Sequence, residues 1–229
     1  MASAVLFDLD DTLYDSTKQV SLARENAVTK MIEQGLHCSQ KNALAVLDEI
    51  ASVKGSNYPH HFDDLVEIFG KPFSYDIVAS GVIAYHETKR KYMKPFPKLK
   101  KTIIQLRKKG YLVGVVSDGI PTKQWEKLIR LGLTDFFDCV VIAEKKSYQK
   151  PSPIPFEYAA KNLGVPAGEC VVVGDRVDKD ILGAHNAGMQ AIQLLQGRHS
   201  KIKPEKIGET PDYIISDICD VAGVIEGLD

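Results

Sequence analysis

The segment CVVVGDRVDKDILGAHNAG, residues 170–188, reads as a single strand–helix unit. Residues 170–173 are apolar without alternation, the pattern of a strand covered on both faces. A polar tip, Gly174-Asp175, follows, and helical periodicity then runs over residues 178–187. Gly188 stands just past the last turn, where a left-handed residue is wanted.

Outward from this unit the same pattern recurs. Apolar runs at residues 4–7, 111–116, 139–142, 191–195 and 213–215 predict further strands. Segments of helical period at 98–109, 122–131, 154–163 and 218–225 alternate with the later ones. Gly110, Gly132 and Gly164 close three of these helices as Gly188 closes its own. Repeated strand, helix, strand implies an α/β fold with a parallel sheet and right-handed crossovers.

One stretch interrupts the alternation. From residue 15 to 94 there is no strand signal, only helical spacing such as Val20, Ala23, Ala27, Met31 and then Ala43, Val46, Leu47, Ile50. A third helix is expected over 63–69 and a fourth over 74–92, with Ile77, Val78, Val82 and Tyr85 inward. The stiff segment Lys94-Pro95-Phe96-Pro97 has the character of a return linker. The expected division is therefore a core of residues 1–14 and 95–229 and an inserted, all-helical unit of residues 15–94.

A chain of 229 residues suits one core domain with a smaller insertion. Its 44% hydrophobic content excludes a disordered chain, and a net charge of -1 argues against a nucleic-acid partner and leaves a small polar ligand open. No apolar stretch reaches the roughly 18 residues a membrane span needs, so no membrane partner and a cytoplasmic location are expected. The four cysteines, Cys38, Cys139, Cys170 and Cys219, are far apart and form no CxxC pair. They read as reduced structural thiols. A monomer or a homodimer is expected.

In an open parallel sheet, ligands bind beyond the carboxyl ends of the strands. Those ends are polar here: Asp8-Leu9-Asp10-Asp11-Thr12 after the first run, Ser117-Asp118-Gly119 after the second, and Gly174-Asp175 with Asp180 five residues on. Lys150 precedes Pro151 at the entrance to a later helix. Collecting Asp8, Asp10 and Asp175 at one edge would raise their pKa values unless a cation compensates, so a divalent metal is implied. Carboxylate-only ligation fits Mg²⁺, which keeps waters and accepts phosphate oxygens. Read singly, Asp10-Asp11-Thr12 is an N-capping turn, Lys150 is loop chemistry and Ser117 is a strand-end hydroxyl. Order and spacing together carry the sharper reading.

With these four elements in order, the chain resembles the haloacid dehalogenase (HAD) superfamily of phosphohydrolases. DxDx[TV] is Asp8 to Thr12, the second signature is Ser117, the third is Lys150 in QKPSP, and GDxxxxD is Gly174-Asp175 through Asp180. The resemblance implies a Rossmann-like core with a C1-type helical cap that closes over the site and contacts the substrate beyond its phosphate. It implies a Mg²⁺-dependent phosphatase acting on a small phosphorylated metabolite, of the sugar or triose phosphate type, through an aspartyl phosphate. By the same resemblance Asp8 is the nucleophile and Asp10 the general acid and base. Ser117 and Lys150 hold the phosphate. Asp8, Asp10 (through its backbone carbonyl) and Asp175 bind the metal, and Asp180 orders a metal-bound water or Lys150 from behind. Asp118, Gly119 and Tyr14 are expected to line the substrate entrance. In the cap, Arg24, Lys54, Tyr58, His60 and His61 are within the range of residue types that reach substrate, although solvated roles are commoner for them.

Three other readings remain at this stage. A haloacid dehalogenase needs neither metal nor the second acid, and Asp10 and Asp175 speak against it. A phosphosugar mutase shares the nucleophile and acid but typically carries Glu-Asp where this chain has Gly174-Asp175. A catalytically idle binding module would keep the fold without turnover.

Overall fold

The computed structural model describes residues 2–55 and 57–227. Six strands form one parallel sheet: β1 (Ala4–Phe7), β2 (Leu112–Asp118), β3 (Cys139–Ala143), β4 (Cys170–Gly174), β5 (Gln190–Leu194) and β6 (Tyr213–Ile215). Their order is β3-β2-β1-β4-β5-β6. The order reverses direction at β1, and such a switch point opens a crevice at the carboxyl edge. The registers Phe7↔Val115 and Phe7↔Val173 bring the end of β1 within a residue of the end of β4, while β2 runs three residues further to Asp118.

Why the strands are apolar throughout is visible in the packing. Val5, Phe7, Val113, Val115, Val171 and Val173 point into one layer with α5 (Leu99–Lys108), α6 (Pro121–Leu131) and α9 (Val221–Glu226). Ala4, Leu6, Val116 and Val172 point into the other, with α7 (Ile154–Leu163) and α8 (Leu182–Asn186). With both faces covered, neither parity of position has water to face. Gly132 (φ 62°) ends α6 and Gly164 (φ 71°) ends α7, each in the left-handed conformation expected of it.

The segment after β4 departs from the expected plain helix. It begins as a π-helical turn over Val177–Ile181, in which the Ile181 N–H donates to the Arg176 carbonyl at 3.2 Å, and becomes α-helical only at Leu182. The widened turn brings Asp180 back to the strand end. A Cβ on Gly174 would lie 2.4 Å from the Asp180 Cβ, so the glycine of this tip is required for the close approach.

Contacts divide the chain into two compact units, residues 1–17 with 93–229, and residues 18–92. In the first, Phe96 N–H donates to the Leu13 carbonyl at 2.9 Å, which ties the return linker to the chain leaving β1. The second is built from α1 (Ser16–Glu33, whose first residues belong to the first unit), α2 (Gln40–Lys54), α3 (His61–Phe69) and α4 (Tyr75–Tyr92). It has its own apolar core, including Val28, Met31, Leu47, Leu65 and Ile77.

The inward stripe of α4 differs from the sequence expectation at Val82, which is exposed, whereas Ile77, Val78, Gly81, Ala84 and Thr88 are buried. The physical reason is a close crossing: a Cβ on Gly81 would meet the Met31 Sδ at 2.6 Å, so the stripe runs through the glycine. No helix among the described residues is long and apolar enough to cross a membrane. The four cysteines are free thiols.

Candidate active site at the carboxyl edge of the sheet

Asp8 follows β1 directly and is 8% exposed, Asp175 follows β4 and is 2% exposed, and Asp180, on the π turn, is 1% exposed. Each offers an oxygen within 4.8 Å of the others. Lys150, 5% exposed, enters between them: its ammonium donates to Asp8 in a very short ion pair, to Asp180 Oδ1 at 2.6 Å and to the Val116 carbonyl at 3.3 Å. One cation thus faces three buried carboxylates.

The imbalance shifts the pKa values of the cluster. Burial pushes the Asp8 carboxyl up to about 7, against the lowering pull of Lys150. Burial, then the charges of Asp180 and Asp8, push Asp175 up to about 9. Burial opposes the charge on Lys150, but Asp180 and Asp8 outweigh it and hold its pKa above the ordinary lysine value.

Oδ2 of Asp175 is buried and has no hydrogen-bond partner. An orphan acceptor is costly unless something absent from the protein's own groups satisfies it. An all-oxygen set of clustered carboxylates with an unsatisfied acceptor is the donor chemistry of a hard divalent cation. Asp8, Asp175 and Asp180 fit that role.

Asp10 lies outside this cluster by its side chain. Its Oδ1 accepts from the Tyr14 hydroxyl at 2.6 Å and from Lys127 Nζ at 2.8 Å, and its Oδ2 accepts from Lys127 at 2.6 Å. Burial would raise the Asp10 pKa, but the charge and hydrogen bonds of Lys127, with the Tyr14 hydroxyl, bring it below the usual value. Tyr14, expected at the entrance, is instead 1% exposed and packs in the core with only its hydroxyl committed to Asp10. The correction has a simple cause: an aromatic body adds to the apolar layer while its polar end finds a partner. Asp11 takes the capping role that the bland reading assigned to this turn, accepting from Thr17 N–H at 2.8 Å and Thr17 Oγ1 at 2.6 Å.

Ser117 is buried near the end of β2, next to Asp118. The Asp118 carboxylate accepts from the Lys150 backbone N–H at 3.0 Å and from Lys179 Nζ at 3.1 Å. It therefore braces the loop that carries Lys150. Gly119 (φ 128°) leaves room for Gln124, whose amide donates to the Asp118 carbonyl at 2.6 Å.

The cap residues singled out in the sequence have partners within the cap: Arg24 pairs with Asp48 at 2.5 Å, Lys54 with Asp64 at 2.7 Å and with the Tyr58 hydroxyl at 3.1 Å, and the Tyr58 ring packs edge-on against His60 and His61. Lys127 belongs to none of the sequence signatures. Its one local signal is position on α6, three residues after the buried Gln124 and beside the buried Leu128.

The sequence profile of haloacid dehalogenase-like hydrolases matches residues 5–194. The chain belongs to this family. Helices α1 to α4, inserted after β1, form its C1-type cap. Among curated relatives, the glyceraldehyde 3-phosphate phosphatase of Methanopyrus kandleri is 44% identical over 230 aligned positions, which cover 100% of this chain and 99% of the relative. The protein of the same name from Methanocaldococcus jannaschii is 41% identical, with 100% and 99% covered. Among solved structures, the HAD hydrolase YfnB of Bacillus subtilis, bound to magnesium, shares the fold with a TM-score of 0.68 at 20% identity, covering 98% of each chain.

Proposed function

We propose that this hydrolase is a Mg²⁺-dependent phosphatase whose substrate is glyceraldehyde 3-phosphate. The observation that carries the reading is the set of three buried carboxylates around a single ammonium, with one carboxylate oxygen left unsatisfied. The substrate assignment rests on the two full-length relatives of that name.

Asp8, Asp175 and Asp180 would hold the metal together with the Asp10 backbone carbonyl, and a bound Mg²⁺ would offset the repulsion between an anionic nucleophile and an anionic phosphate. The chain's own residues do the rest. An Asp8 oxygen attacks phosphorus while the bond from phosphorus to the substrate oxygen breaks, and Asp10, ionised beside Lys127 in the free protein and carrying a proton taken up with the substrate, delivers that proton to the leaving oxygen. Ionised Asp10 then takes a proton from water, the water oxygen attacks phosphorus, and Asp8 is released with inorganic phosphate. Lys150 keeps Asp8 ionised and holds a phosphate oxygen, and Ser117 donates a hydrogen bond to another. Asp118 and Gly119 border the phosphate position. Residues 1–14 and 95–229 form the catalytic unit.

A mutase reading is disfavoured by Gly174, since a side chain there would collide with Asp180 at 2.4 Å. The test is phosphate release from glyceraldehyde 3-phosphate and from a panel of other sugar phosphates, with Mg²⁺ and with chelator. The highest kcat/KM is expected for glyceraldehyde 3-phosphate, with turnover abolished by chelation and restored by Mg²⁺. Turnover that persists in chelator, or a different preferred phosphate, overturns the corresponding half of the proposal.

A further inference from the structure

Lys127 sits on α6, far in sequence from every signature, yet its side chain is only 18% exposed and its ammonium contacts both oxygens of Asp10. A carboxylate offers about four lone-pair sites. Tyr14 and Lys127 fill both sites on Oδ1, and Lys127 fills one on Oδ2. The remaining site is on Oδ2, on a side chain that is itself 38% exposed. A carboxylate on a free two-torsion stem would sample several rotamers. Here two donors hold one, Tyr14 from the same turn and Lys127 from α6.

We propose that Lys127 is a positioning residue of the phosphatase reaction, which with Tyr14 fixes the Asp10 carboxylate so that the open site on Oδ2 meets first the leaving-group oxygen and then the hydrolytic water. The inference rests on the reading of Asp10 as general acid and base. It explains why a lysine is largely hidden in the middle of a helix face otherwise given to Gln124, Leu128 and Leu131. Arginine at the same place would retain paired donors. Methionine or glutamine would keep the stem and lose the ammonium.

The test separates steps that need Asp10 from the one that does not. Phosphoryl transfer from p-nitrophenyl phosphate to Asp8 expels an anion stable without a proton, whereas glyceraldehyde 3-phosphate must have its alkoxide protonated. For K127M and K127Q, each shown folded by circular dichroism and thermal unfolding, kcat for glyceraldehyde 3-phosphate is expected to fall about 10- to 100-fold with KM changed less than about threefold. The rate of the p-nitrophenolate burst is expected to stay within about threefold of the parent. K127R should recover most of kcat, and in a D10N background K127M should change kcat by less than about twofold.

A wild-type kcat in K127M overturns the inference, as does an equal loss in burst and turnover, or a further full-sized loss on top of D10N. If D10N alone turns over glyceraldehyde 3-phosphate at the parent rate, the reading of Asp10 falls and takes the inference with it. D10N inactive beside a normal K127M sinks the inference alone.

Discussion

At the carboxyl edge of the sheet Asp8, Asp175, Asp180 and Lys150 are all buried, whereas the cap carries its charges outside: Asp48 is 70% exposed in its pair with Arg24, and Lys54 is 44% exposed in its pair with Asp64. Exposed pairs of this kind contribute about 0.2–1 kcal/mol each, and the cap is held mainly by Val28, Met31, Leu47 and Leu65. Buried like charges work the other way. They destabilise the fold that holds them, and they are retained where a cation or a reaction needs them. One molecule thus contains a unit organised around unbalanced charge and a unit organised around packing.

The largest effect should come from the first unit. Asp8→Asn removes the proposed nucleophile while keeping its shape, and kcat is expected to drop by roughly 10³-fold or more with little loss of folding. Rapid-quench assays with phosphorylated substrate should also lose the acid-labile, hydroxylamine-sensitive protein phosphate. A rate near that of the parent would detach the buried cluster from the chemistry and remove the contrast between the two units.

A second effect is electrostatic. Asp8 and Asp175 are raised from the ordinary 3.8 to about 7 and about 9. The folded chain therefore binds these protons more tightly than the unfolded one. Their stabilising contribution is fully present below about pH 4 and is lost as pH rises through the folded values. In chelator, the thermal midpoint should fall between pH 5 and pH 9, by an amount that Asp175→Asn reduces and Mg²⁺ largely abolishes. A flat profile without metal would mean that the site is not electrostatically strained.

The smallest expected effect belongs to the cap. Gly81→Val places carbon where Met31 already sits, with the Cβ 2.6 Å from its Sδ, and overpacking of this kind costs about 1–3 kcal/mol. Thermal unfolding should register the loss, and the pH and metal dependence should be those of the parent. Relief by the double variant with Met31→Ala would sharpen the assignment to this contact. A change in metal dependence would show that the two units are not energetically distinct.

Much of this is legible in the sequence. Continuous apolar runs report strands covered on both faces, and β1, β4 and β6 begin and end within a residue of the runs that announced them. Residues at strand ends are visible as polar breaks, which is why Asp8, Ser117 and Asp175 were found. Val82 misled because it is apolar and roughly in phase, while the true contact is made by a glycine that carries no hydrophobic signal. The π turn was read as ordinary helix because its spacing over five residues is too short to declare a different period. Lys127 was invisible because it and Asp10 are separated by 117 residues and neither is part of a local pattern that names the other.

The sequence by itself determined the alternation of strands and helices, the helical insertion and the identity of the acidic residues at the strand tips, because each is written in neighbouring residues through periodicity and turn chemistry. Tertiary structure alone decided that β1 lies between β2 and β4, and hence that Asp8 meets Asp175, Asp180 and Lys150. It also decided that Tyr14 is buried and that Lys127 reaches Asp10. Such meetings follow from which surfaces pack together, a property of the whole chain that leaves no trace in any one stretch of it.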